Sequence, residues 1–141
     1  GDQIRGFGFT NDGSVDTITA NASPILGASL SYVAGGTDTT VLVADHPSQM
    51  YYVQDDGDTT AMTALSEGSM CDIILTTGST TTFQGQQEID SSSAAATTAP
   101  IRVNRLHPCE ANSYASAAGS PRRWIVTINP RFHQLATQSG I

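Results

Sequence analysis

The chain has 141 residues and a mass of 14.7 kDa, which is a common size for one domain. Its 13 acidic residues, six Arg and no Lys give a net charge of −7, which argues against nucleic acid and anionic membrane surfaces as partners. No apolar run approaches the roughly 18 residues of a membrane-spanning helix, so the chain is predicted to have no membrane partner.

Short apolar runs separated by Gly, Pro, Asp and Ser predict an all-β chain. In chain order, strands are predicted at 4–9, 14–19, 25–33, 40–44, 49–54, 72–76, 82–89, 101–106 and 123–129. Residues 61–70 have the composition of a short helix that ends at Gly68. We expect a single small β-barrel or β-sandwich of short antiparallel strands at 38–141, with residues 1–37 as an N-terminal arm or edge strands.

Turn residues mark the ends of these strands. The sequence Asp55-Asp56-Gly57-Asp58 contains the Asp-Gly pair of tight hairpins, so the strand 49–54 is predicted to turn back there. The Ser/Ala/Thr-rich stretch 91–99 and the small-residue stretch 111–120 are predicted to be exposed loops.

The strand 123–129 carries the strongest core signal. Trp124, Val126 and Ile128 share one face by the two-residue period of a strand, and Ile125 lies on the other face. Trp124 is the only Trp of the chain. We therefore predict that these three residues form the centre of the core, and that Trp124 is structural rather than a platform for a ligand.

The core is predicted to be thin, because only 38% of the residues are apolar and few of them are aromatic. Contacts with other subunits would supplement it, so we expect a homo-oligomer, with a homotrimer ahead of a dimer.

The charges are distributed unevenly along the chain. Residues 1–100 carry one Arg and a net charge of −11, whereas residues 101–141 carry a net charge of +4. Solvated Asp-rich turns and a few surface Arg residues would account for this pattern, and complementary contact with a protein partner is the alternative. On the second interpretation the interface residues are Arg102, Arg105, Arg122, Arg123 and Arg131.

No motif for a cofactor, a metal or catalysis is evident. The pair His107 and Cys109 lacks the further ligands of a zinc site, and the Asp-rich turn at 55–58 lacks the spacing of an EF-hand. There is no Gly-x-Ser-x-Gly sequence and no glycine-rich phosphate loop. We therefore predict no cofactor, no metal and no enzymatic activity. We expect Cys71 and Cys109 to be free thiols, with a disulfide between them as the alternative.

Three segments from residue 38 onward have a recognisable order. Residues 40–54 (TVLVADHPSQMYYVQ) read as a strand, an acidic residue, Pro and a second strand ending in Val-Gln. Residues 77–98 (TGSTTTFQGQQEIDSSSAAATT) read as a Thr/Gly/Ser loop followed by Glu-x-Asp, and the chain closes with residues 131–141 (RFHQLATQSGI). Taken in order, these segments resemble those of a family of small virion proteins of marine tailed bacteriophages, the capsid decoration or cement proteins.

The resemblance implies a structural protein that binds the outer surface of a tailed-phage head and stabilises junctions between major capsid proteins. It implies the major capsid protein and further copies of the chain as partners, and a location on the virion after assembly in the host cytoplasm. It offers no catalytic residues. The alternative function is a carbohydrate-binding or host-attachment β-module of a virion.

Overall fold

The computed structural model describes residues 7–11, 14–18, 20–31, 40–58, 60, 62–76, 81–82, 85–94, 98–108 and 120–135. Within these ranges the chain is all-β, as predicted, with ten strands and two single-turn 3₁₀ helices. The strands pair antiparallel in three open sheets. No described sheet closes on itself, so the barrel alternative is wrong for this part of the chain, and a small sandwich-like domain is compatible with it.

The chain divides into two compact units that interleave along the sequence. The first unit comprises residues 1–49, 75–87 and 130–141, and the second comprises residues 50–74 and 88–129. The predicted boundary between residues 37 and 38 stays a prediction, because residues 32–39 lie outside the described ranges.

The first unit contains a four-stranded sheet, β2-β1-β3-β4. Its strands are β1 (Phe7–Asn11), β2 (Ser14–Thr17), β3 (Gly27–Ser29) and β4 (Val43–Ala44). Where β3 meets β4, a Cβ on Gly27 would lie 2.0 Å from the carbonyl oxygen of Ala44, so only glycine fits there. The N-terminal segment thus supplies three strands of this sheet.

The second unit contains a four-stranded sheet and a two-stranded sheet. The larger sheet has the order β5-β10-β9-β6 and consists of β5 (Met50–Gln54), β6 (Met70–Cys71), β9 (Ile101–Leu106) and β10 (Arg123–Ile128). The smaller sheet pairs β7 (Ile73–Ile74) with β8 (Glu88–Ile89).

Strand β10 lies inside the larger sheet, between β5 and β9. Its residues alternate between buried and half-buried: Trp124 and Val126 are fully buried and Ile128 is 1% exposed. The neighbouring strand β9 contributes the buried residues Ile101 and Val103 to the same face. The predicted core residues Trp124, Val126 and Ile128 therefore lie on the inner face of the central pair of strands.

The hairpin predicted at residues 55–58 does not form. Gly57 has the positive φ of 62° that such a turn requires, but β5 pairs with β10 rather than with the next strand along the chain. The reason is that the carboxylate of Asp55 accepts hydrogen bonds from Gly57 N and from Arg122 N, which attaches this turn to the start of β10.

Two further local predictions change in the structure. The helical segment predicted at 61–70 is a 3₁₀ turn at Ala64–Ser66, capped by Thr63. The stretch 91–99 is not simply an exposed loop: Ser91 is 3% exposed and Ala99 is 2% exposed. Residues 95–97 and 111–119 lie outside the described ranges.

No helix among the described residues has the length and hydropathy needed to cross a membrane.

Candidate binding face

A β-bulge in β9 determines which residues face outward from the larger sheet. Ile125 of β10 pairs with Arg105, but the next residue, Val126, pairs with Val103, so Asn104 is an extra residue in β9. In a regular strand, residues three apart point to opposite faces. The extra residue brings Arg102 and Arg105 to the same face, because a bulge re-aims the side chains that follow it.

Directly paired residues of an antiparallel sheet lie on the same face, so the register defines two rows across β5, β10 and β9. One row contains Met50, Thr127 and Arg102, and the other contains Tyr52, Ile125 and Arg105. With neighbouring strands about 4.8 Å apart, each row is about 10 Å long. We refer to these six residues as the Arg–Tyr face: Met50, Tyr52, Arg102, Arg105, Ile125 and Thr127.

The Arg–Tyr face combines exposed apolar and cationic side chains. Met50 is 60% exposed and Tyr52 is 56% exposed, and both Arg102 and Arg105 are exposed. None of the four strands of this sheet contains Asp or Glu. The face is thus cationic in a chain whose net charge is −7.

Tyr52 is oriented by an aromatic neighbour. Its ring lies edge-on to the ring of His107, with 4.6 Å between the ring centroids and an angle of 77° between the planes. This T-shaped arrangement is favourable for aromatic pairs. The amide of His107 in turn donates to the carbonyl of Arg123 at 2.9 Å, which fixes the histidine at the end of the pair β9–β10. Tyr52 is therefore exposed but held in place.

The five arginines that were predicted to form an interface lie at different places in the structure. Arg102 and Arg105 lie on the Arg–Tyr face, and Arg123 is half-buried at the end of the same sheet, paired with Gln54. The side-chain amide of Gln54 donates to Glu88 at 3.1 Å, so this end of the sheet also carries an acidic group. Arg131 is exposed but belongs to the first unit.

Arg122 requires a correction. It is 3% exposed, so its guanidinium is not available to a partner, and its assignment as an interface residue is wrong. Its backbone is the reason: Arg122 N donates to the Asp55 carboxylate at 3.0 Å, and its carbonyl accepts from Asp55 N at 2.8 Å. These two bonds hold Arg122 against a buried residue.

Asp55 is a structural residue that the sequence did not reveal. It is 1% exposed, and its carboxylate accepts hydrogen bonds at 3.0 Å from Gly57 N, from Arg122 N and from the indole Nε1 of Trp124. A buried indole N–H usually has an acceptor, so the prediction that Trp124 is buried implied a nearby acceptor without identifying it. Asp55 looked like an ordinary turn residue.

An acidic cluster follows Asp55 in the second unit. Carboxylate oxygens of Asp56, Asp58 and Asp90 lie within 4.8 Å of one another. Oxygen ligands of this kind suit a hard cation such as Ca²⁺. However, Ser91 donates to Asp56 through its amide at 3.1 Å and through its hydroxyl at 2.7 Å, and Ser92 donates to Asp90. These hydrogen bonds hold the carboxylates of Asp56 and Asp90 in place.

A shallow cavity of about 270 Å³ lies next to Ser91. Its lining is mostly small and hydroxyl-bearing, and includes Thr60, Ser66, Ser69 and Ser92. Hydroxyl groups of this kind can hydrogen-bond to a polar ligand. None of the lining residues is a histidine or a cysteine, so the lining offers neither an imidazole general base nor a thiol nucleophile.

Cys71 is a free, fully buried thiol. Burial, together with the nearby carboxylates of Asp72, Asp90 and Asp55, raises the pKa of Cys71 to about 12. A thiol in this environment remains protonated near neutral pH and is a poor nucleophile. The prediction that Cys109 is also free stays a prediction, because that residue lies outside the described ranges.

No protein-family model matches this chain, and no curated protein and no solved structure is significantly similar to it.

Proposed function

We propose that the chain is a structural protein of a virion, a capsid decoration protein that binds the outer surface of a tailed-phage head and stabilises junctions between major capsid proteins. On this proposal the Arg–Tyr face binds the capsid, and the protein has no catalytic role. The segment-by-segment resemblance of the sequence motivates the proposal, and the composition of this face supports it.

The observation that carries the proposal is the alignment of Arg102 and Arg105 by the bulge at Asn104. The two arginines lie on neighbouring rows of one face, about 7 Å apart along the strand. Arginine and tyrosine are enriched among residues that dominate protein interfaces, because they combine contact area with directional hydrogen bonds. Two guanidinium groups on one face suit a partner that presents carboxylates.

Binding to virus heads tests the proposal. Heads of the virus that encodes this chain are mixed with the purified protein and sedimented, and the bound fraction is measured at low and moderate salt. We expect the double variant Arg102→Ala/Arg105→Ala to bind at least tenfold more weakly than the unmodified chain. Arg131→Ala is the control, because it removes an exposed arginine from the other unit.

Two outcomes would contradict the proposal. The first is that the unmodified chain does not sediment with the heads, and the second is that the double variant binds as well as the control.

The variant Arg102→Lys/Arg105→Lys tests whether binding depends on the positive charge alone or also on the shape of the guanidinium group. Lysine keeps the charge but loses the planar, bidentate donor group.

Exposed Tyr52 favours a second candidate, a carbohydrate-binding or host-attachment module. A tyrosine ring fixed edge-on to His107 and 56% exposed presents an apolar surface on which a sugar ring can pack. Glycan binding that is lost in Tyr52→Ala but retained in Arg102→Ala/Arg105→Ala would favour this function. The opposite pattern, with no glycan bound and head binding lost in the arginine variant, favours decoration.

A further inference from the structure

His133 is a fully buried histidine in the first unit, within the segment 130–135. This segment is attached to Ile25 by two backbone hydrogen bonds: Ile25 N donates to the carbonyl of Phe132 at 2.6 Å, and Gln134 N donates to the carbonyl of Ile25 at 2.9 Å. The two bonds place Ile25 and His133 side by side in a parallel bridge. The imidazole of His133 is therefore enclosed at the point where the segment is attached.

The hydrogen bonds of the ring define its protonation state. Nδ1 accepts a hydrogen bond from Leu135 N at 3.1 Å, so it must carry a lone pair. The neutral ring then has its proton on Nε2, which makes no hydrogen bond of normal geometry among the described residues, although the backbone of Asp45 attracts the proton of the ring. The ring is thus neutral and buried, with Nδ1 as its acceptor and Nε2–H as its donor.

Burial lowers the pKa of His133 below its ordinary value of 6.5, because the charged form loses its hydration. Asp45 acts in the opposite direction, through its carboxylate and its backbone, and nearby His46 adds to the lowering. The charged residue on the segment itself is Arg131, which is exposed. The desolvation of the ring outweighs the attraction of Asp45.

We propose that protonation of His133 releases the segment 130–135 from Ile25, so that the first unit contains a pH-sensitive switch. A second proton on the ring goes to Nδ1, the atom that accepts the hydrogen bond from Leu135 N. The two N–H groups then face each other, and the hydrogen bond is lost. The same event places a positive charge on a buried ring, where the loss of hydration outweighs the attraction of the Asp45 carboxylate.

The direction of the pH dependence follows from linkage. A histidine whose pKa is lowered in the folded state contributes its full stability above about pH 6.5, the value in the open state. That contribution is lost as the pH falls from 6.5 towards the pKa of the closed state. Within this window the ratio of open to closed segment rises by up to about tenfold for each pH unit, because one proton is taken up on opening.

His46 provides a matched control. Its Nδ1 accepts a hydrogen bond from Ser48 N at 3.0 Å, which is the same local pattern as the bond from Leu135 to His133. His46, however, is exposed, whereas His133 is buried. Asparagine is the appropriate replacement at both positions, because its side-chain oxygen can accept the same amide proton but does not titrate in this range.

Amide hydrogen exchange tests the switch in the full chain. The exchange of Ile25, Gln134 and Leu135 is measured between pH 7.5 and 5.0 and corrected for the intrinsic pH dependence of exchange. We expect protection to fall by up to about tenfold per pH unit below 6.5 in the unmodified chain and in His46→Asn, but not in His133→Asn. Protection that is independent of pH in the unmodified chain, or that falls equally in His133→Asn, would overturn the proposal.

Nitrogen NMR of the unmodified chain gives a second readout that needs no variant. At pH 7.5 we expect His133 in the tautomer protonated on Nε2, and we expect its titration midpoint to lie below 6.5. A proton on Nδ1, or a midpoint at or above 6.5, would contradict the proposed switch.

Discussion

The hydrogen bond between Asp55 and Trp124 joins two buried residues that are 69 positions apart. The apolar alternation of residues 124–128 was enough to predict the buried face of β10 from the sequence. The acceptor for the indole was not predictable, because an Asp in an Asp/Gly-rich stretch has the composition of an exposed turn. Only the pairing of β5 with β10 brings that carboxylate to the tryptophan.

A double-mutant cycle measures this contact. Asp55→Ala is expected to lower the free energy of unfolding by about 2 to 4 kcal/mol, because it leaves three N–H donors without their acceptor. Trp124→Phe keeps most of the ring volume and removes the N–H, and is expected to cost about 1 to 3 kcal/mol. Urea unfolding of the single and double variants should give a coupling free energy of about 1 kcal/mol or more.

The control cycle pairs Asp56→Ala with Trp124→Phe. Asp56 accepts from Ser91 rather than from the indole, so the two changes should be additive within about 0.5 kcal/mol. A coupling free energy near zero in the Asp55 cycle, or an equal one in the control, would show that Asp55 does not act through Trp124.

Strand β9 shows which features of an element can be read from its sequence. Its bounds, Ile101–Leu106, agree with the prediction, because the apolar and β-branched residues define the strand. Its bulge was not predictable, because the extra residue is defined by the partner strand.

The single strand predicted at 72–76 is replaced by two short strands in different sheets. Met70–Cys71 pairs with β9, and Ile73–Ile74 pairs with β8. The chain changes sheets at Asp72, and no local pattern marks that change.

Deletion variants test the bulge. Removing Asn104 leaves the sequence Ile-Arg-Val-Arg-Leu, in which strict alternation keeps both arginines outward and the apolar residues inward. We expect this deletion to cost at most about 2 kcal/mol of unfolding free energy. Removing Val103 instead places Asn104 on the buried face, and should cost more than about 3 kcal/mol or prevent folding. Equal losses in the two variants, measured by urea unfolding, would refute the register.

At the scale of the whole molecule, the all-β class was predictable because it depends on composition and on short apolar runs. The interleaving of the two units was not, because each unit is assembled from segments that are remote in the chain. The candidate face was predictable only in part: five arginines were assigned to an interface, two of them share the Arg–Tyr face, and one is buried. Residue type indicates the chemistry of a contact, and topology decides which side chains share a face.

The expected homo-oligomer is tested by the mass of the protein in solution. Exposed apolar residues such as Leu42 (67% exposed) and Leu135 (53% exposed) add to the expectation that subunits contact one another. Native mass spectrometry at micromolar concentration should give a species of three times 14.7 kDa. A monomer that remains thermally stable when diluted would contradict the expectation that a thin core needs subunit contacts.

A cryo-EM map of virions that encode this chain tests the proposal that the Arg–Tyr face binds a phage head. We expect density for the chain on the outer surface of the head, at junctions between major capsid proteins. Tyr52, Arg102 and Arg105 should face the shell, with capsid carboxylates opposite the two guanidinium groups. A map that places the chain away from the head, or on the head with this face towards solvent, would contradict the account.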